Sequence, residues 1–178
     1  MELHQINLNY IQDEDRILLR VSSRADDQQL QEVRAWLTRH MVHSLWEAMV
    51  RAMEAQVMLD KPHAAHATTE LPGMEHKASV ARNQAQGKFS APYEAGARVL
   101  PGAETPLLIT TFTFHLNPDR PVRLQLAPAA GQGFELALPS DTLHAFSKLL
   151  ATTVARTEWG LSLQLRDSPI MPPSALLN

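Results

Sequence analysis

The chain has 178 residues, 44% of them hydrophobic, and a formal net charge of −3 at neutral pH. That length and apolar content suit one domain, or two small coupled ones, with a real core. The negative balance excludes bulk attraction to nucleic acid or anionic lipid. The absence of cysteine excludes disulfides, a thiol nucleophile and any cysteine-ligated zinc or iron–sulfur site. No basic segment followed by an apolar run opens the chain, and no apolar stretch approaches a membrane span. A soluble cytoplasmic protein is the resulting expectation.

In the first block the hydrophobic period is two. His4, Ile6, Leu8 and Tyr10 alternate with Gln5, Asn7 and Asn9, which predicts a strand. The turn Gln12-Asp13-Glu14-Asp15 follows, and then Ile17, Leu19 and Val21 alternate with Arg16, Leu18 and Arg20. Beyond a polar loop, Val33, Ala35 and Leu37 alternate with Arg34 and Trp36, a third strand that competes with an early helix start over residues 32–37. From Thr38, a natural N-cap, the period becomes helical: Met41, Val42, Leu45, Trp46, Met49, Val50, Met53 and Val57 share one face. The spacing predicts a helix ending near Met58, because Pro62 cannot continue it.

Residues 59–92 hold few large apolar side chains and keep neither period. They read as a flexible linker, with a weak helical stretch over residues 76–86. The second block opens with an edge strand over residues 93–100. Leu108, Thr110, Phe112, Phe114 and Leu116 then alternate with Ile109, Thr111, Thr113 and His115. Asn117-Pro118-Asp119-Arg120 is a turn by composition. Strands follow on Val122, Leu124 and Leu126 and, past a turn over residues 129–133, on Phe134, Leu136 and Leu138. Ser140 is the expected N-cap of a second helix with the apolar face Leu143, Phe146, Leu149, Leu150 and Val154, stopped by Gly160. Leu161, Leu163 and Leu165 predict a last strand, and three prolines mark a loose tail from Ser168.

The two blocks echo each other. Each has an Asp-Arg pair in its first turn, Asp15-Arg16 and Asp119-Arg120. Val33, Ala35 and Leu37 match Phe134, Leu136 and Leu138, and Val42, His43 and Leu45 match Leu143, His144 and Phe146. The expected fold is α+β: an antiparallel sheet with two amphipathic helices, arranged as two related strand–strand–strand–helix halves. If the halves are repeats, each buries its sheet under its own helix. The divisions are a first block over residues 1–58, the linker 59–92, a second block over 93–167 and the tail 168–178.

The opening INLNY, followed by EDRILLRVS and a helix containing LTRHMVHSLW, resembles a family of small uncharacterised proteobacterial proteins over Leu3 to Val50. This resemblance implies no catalytic residues. By topology alone, a doubled strand-rich block closed by a helix is similar to the Whirly and PUR-type single-stranded nucleic-acid binders. Those use four strands per repeat and present the sheet face opposite the helix; here three are read per block.

The candidate binding face is the side of the sheet turned away from the helices, with Arg16, Arg20, Arg34 and Trp36 in the first half and Arg123 and Gln125 in the second. Leu18, Thr111, Thr113 and His115 share it. Arginine beside an indole is what a single-strand platform needs, to hold phosphates and stack bases. The competing reading is an ordinary sheet face, solvated or covered by a partner, and the negative net charge favours it. No other cluster carries chemistry. His63, His66 and His76 lie in the linker and form no preorganised metal site. His40 and His43 read as surface or cap residues. Asp13, Glu14 and Asp15 lack the further ligands and the glycine of a calcium loop. There is no nucleophile elbow and no glycine-rich phosphate loop. The sequence therefore assigns no catalytic residue, no metal and no cofactor, and the expectation is a non-enzymatic interaction or regulatory module. It would bind an unknown protein partner or itself, without a membrane. Single-stranded nucleic-acid binding is the alternative and an enzyme of unknown class the third reading.

Overall fold

The computed structural model describes residues 2–24, 29–60, 98–99 and 104–164. The strands are β1 (Glu2–Ile11), β2 (Arg16–Arg24), β3 (Leu30–Leu37), β4 (Arg98–Val99), β5 (Leu107–His115), β6 (Val122–Pro128) and β7 (Phe134–Leu138). Among the described residues the helices are α1 (Arg39–Asp60) and α2 (Ser140–Val154), with one 3-10 turn at Gln12–Glu14. The class is α+β, as the sequence predicts. Over the described residues the sheet has seven strands in the order β1-β2-β3-β5-β6-β7, with β4 also on β3. Within each half the neighbours are antiparallel. The join is parallel: Ala35 pairs Leu107 and Trp36 pairs Leu108, while β4 takes up the same β3 strand at Gln31 and Glu32. The sheet is therefore mixed, because a helical crossover returns the chain in the direction in which β3 left.

The α1 N-terminus forms as expected. The Met41 amide donates to Thr38 Oγ1 (3.2 Å) and the Val42 amide to the Thr38 carbonyl (2.9 Å). The apolar stripe is buried along the helix, with Leu45 and Met49 at 0% and Trp46 at 7% exposure. At its last turn Gln56 is buried in place of Val57, since the Gln56 amide has partners to meet. The helix runs on to Asp60, two residues past the expected stop and two before Pro62.

Two bulges shift the face assignments. In β1 the register slips between Leu3 and Gln5, so Leu3 packs on the core and His4 is exposed, not aligned with Ile6. In β5 it slips between Ile109 and Thr111. Ile109 is consequently buried with Phe112 and Phe114 toward the core side, while Leu108 stands 41% exposed on the other face. An inserted residue breaks the period-two rule on which the alternation rested. Ser140 is not the N-cap: Pro139 is, with its carbonyl accepting the Leu143 amide (2.9 Å) and no side-chain cap. α2 ends at Val154, before a non-helical turn that precedes Gly160 (φ +64°). Residues 161–164 are not a strand; Leu161 and Leu163 satisfy their alternation by packing on the core without a ladder partner. The expected linker beyond Asp60, its weak helix, the tail, and all of the edge strand but Arg98–Val99 lie outside the described residues.

The helices are exchanged between the halves. Among the strands α1 packs most extensively along β5, and α2 along β1 with a smaller contact to β7. Each helix thus covers the first long strand of the other half rather than lying only over its own, and the two helices also touch. One core results, from Ile6, Leu8, Ile17 and Leu19 through Leu45 and Met49 to Leu124, Leu138, Phe146 and Leu150. No helix among the described residues is long and apolar enough to cross a membrane.

Candidate functional site

Alternation along β2 and β3 sends Ile17, Leu19, Val21, Ala35 and Leu37 into the core, so Arg16, Leu18, Arg20, Arg34 and Trp36 emerge on the opposite face. The register then sets which of them meet. Arg20 lies opposite Arg34, and Leu18 opposite Trp36. Because Trp36 also pairs with Leu108 across the parallel join, Leu18, Trp36 and Leu108 form one apolar row over three strands. On the second half Thr113, Gln125 and Glu135 form a row over β5, β6 and β7, and His115 and Arg123 pair beside it. All six candidate residues share the face, but Arg123 and Gln125 lie two strands away from β3, with β5 between.

The electrostatics of this face are set by a residue absent from the candidate set. Glu32 lies on the outer side of β3 and is 1% exposed. Arg20 donates to its Oε2 (2.9 Å), and the Arg34 Nε donates to its Oε1. A carboxylate taken out of water needs such charge-assisted partners, since an unpaired buried charge costs several kcal/mol. The neighbouring Ser22, its register partner on β2, is also 1% exposed. At this end of the outer face the carboxylate and the hydroxyl are buried, while Arg20 and Arg34 stay partly exposed. The remaining arginines are loosely matched in exposed positions, Arg16 with Glu14 and Arg123 with Glu135, both at 3.7 Å. Glu32 escaped sequence reading because it falls on the polar alternate of a short strand. The signal was there in two arginines, Arg34 two positions on and Arg20 on the neighbouring strand.

Among the described residues no group of three or more histidine, cysteine or acidic side chains is placed to hold a metal. His43 stands exposed on α1, 3.9 Å from Glu47, whereas its counterpart His144 is buried at 3% exposure. The equivalence of the two positions in sequence is not kept in environment. His63, His66 and His76 lie outside the described residues. No family model, no curated protein and no solved structure matches the chain.

Proposed function

We propose that the chain is a non-enzymatic protein-interaction module that docks its partner on the outer sheet face, centred on the row Leu18, Trp36 and Leu108. The observation that supports this reading is that three strands align three apolar side chains on the face opposite both helices, with Leu108 at 41% exposure. An aromatic anchor flanked by aliphatic groups is the usual centre of a protein–protein contact. The same register argues against the single-strand reading. Arg20 and Arg34, on the same face as Trp36, are both engaged by Glu32, which offsets part of their charge and leaves less of it for phosphates.

The test is a titration of labelled single-stranded DNA and RNA at low and moderate salt, beside sedimentation velocity and surface cross-linking of the wild type and of Leu108→Glu. The reading expects no oligonucleotide binding. It expects association, with itself or with a partner cross-linked near Trp36, that Leu108→Glu abolishes. Salt-sensitive oligonucleotide binding lost in Trp36→Ala and Arg34→Met favours the nucleic-acid reading instead.

A further inference from the structure

A second feature lies away from the outer face. The C-terminal turn of α1, the β5–β6 turn and the start of α2 enclose a cleft of about 240 Å³, many times the ~15 Å³ that one water requires. Its walls are apolar where Met53, Val57 and Leu143 line it. Its polar end is built around Gln56, which is 7% exposed.

The Gln56 Nε2 donates to Asp60 Oδ1 (2.8 Å) and to the Asn117 carbonyl (2.8 Å). Both partners are acceptors only, so the amide cannot be turned round: nitrogen must face them. That orientation leaves Gln56 Oε1 buried and without a hydrogen-bond partner. Asp60 Oδ1 also accepts the Asp119 backbone N–H (2.8 Å), which leaves the second carboxylate oxygen for a further donor. The acceptors at this end are thus the unmet, buried and neutral Gln56 Oε1 and the exposed, anionic carboxylate of Asp60. The charged residues lining the cleft are Asp60, Asp119 and Arg120, a balance of one negative charge. A buried acceptor without a donor is uncommon in a folded protein and calls for one.

We propose that this cleft binds the ammonium end of a small organic cation with a short apolar body. The ammonium donates to Gln56 Oε1 and to the Asp60 carboxylate, and the hydrocarbon lies against Met53, Val57 and Leu143. The proposal does not depend on the docking reading of the outer face.

The test uses the full chain and n-butylammonium, with n-butanol and butyrate as neutral and anionic controls at matched ionic strength. Two-dimensional amide NMR follows the Asp119 backbone signal and the Gln56 side-chain amide. The expected result is saturable shifts of both with n-butylammonium and none with either control. In Asp60→Asn, which keeps an oxygen for the Gln56 and Asp119 donors, binding weakens about tenfold, as the loss of one charge-assisted hydrogen bond implies. Core signals such as the Leu45 amide show that the variant is folded. No saturable shift with n-butylammonium overturns the proposal. So does equal binding of n-butanol, which leaves only an apolar crevice, or unchanged affinity in Asp60→Asn.

Discussion

Asp15 and Trp159, 144 positions apart, are joined by a hydrogen bond from the indole Nε1 to Asp15 Oδ1. Tyr10 donates to the same oxygen (2.8 Å) and meets the indole edge-on, with ring centroids 5.7 Å apart at 83°. The first turn of the first half is therefore fastened to the chain just beyond α2. The first turn of the second half is fastened in the same sense, since the Asp119 amide donates to Asp60 at the end of α1. Asp15 (φ 45°) and Asp119 (φ 53°) are also the two non-glycine residues with positive φ among those described. Aspartate is one of the few side chains that accept the left-handed region without large strain. The paired turns and the exchanged helices express one arrangement, in which each half closes on the other.

The Asp15 clasp is sensitive to acid. The Trp159 indole N–H, and after it the Tyr10 hydroxyl, hold the Asp15 carboxyl below its ordinary value of 3.8. A depressed folded-state pKa means that the unfolded chain binds the proton first as pH falls. The contribution is complete above 3.8 and disappears as pH drops through the lower folded value. Asp15→Asn tolerates the same backbone conformation and removes the titration. Urea midpoints measured from neutral pH into the acid range are expected to fall less steeply in Asp15→Asn than in the wild type. Parallel curves would show that the clasp contributes no pH dependence.

The same clasp has an alkaline limb. Asp15, accepting the Tyr10 hydroxyl, raises the phenol above its ordinary 10.0. The proton is retained longer in the folded chain, so this contribution is present below 10.0 and is lost as pH rises through the higher folded value. A spectrophotometric titration is expected to show Tyr10 ionising later in the wild type than in Asp15→Asn.

Trp46 is the largest side chain on the α1 stripe and is 7% exposed. Trp46→Ala is expected to lower stability by about 3–5 kcal/mol, the range for emptying a large core site. Urea denaturation checks this, and a loss below ~1 kcal/mol would mean that the stripe is not core.

Glu32 is more costly to isolate than to replace. Arg20→Met with Arg34→Met leaves its carboxylate buried without two of its donors, and a loss of about 3–5 kcal/mol is expected. Adding Glu32→Met to that pair removes the buried charge and recovers part of the loss. Equilibrium unfolding of the double and triple variants separates the two outcomes. A triple variant no more stable than the double would contradict this account.

Gly133 is required for contact rather than for conformation. A Cβ there would meet the Leu126 carbonyl oxygen at 2.3 Å and Ala127 Cβ at 2.8 Å. Gly133→Ala must push β6 and the approach to β7 apart, at a cost of roughly 1–3 kcal/mol. Gly131→Ala at the same turn meets nothing and is strained only by its φ of +96°. Thermal unfolding of the two variants compares the clash with the backbone strain.

Hydrophobic periodicity by itself determined the long elements: three strands and a helix, then the same again. These are local choices, made by the alternation at Ile17, Leu19 and Val21 and by the three-and-four steps from Met41 to Met53. Tertiary structure alone decided the rest. The bulge at Thr110 turned Leu108 outward, because an inserted residue is invisible to a count of alternate positions. The parallel join placed Leu108 beside Trp36, and with it the apolar row, because strand pairing is a contact between distant segments that no window of sequence contains. Burial of Glu32 and Trp159, and the orphaned oxygen of Gln56, likewise follow from what other elements bring against them. A polar side chain's environment is set by its partners across the fold and not by its neighbours along the chain.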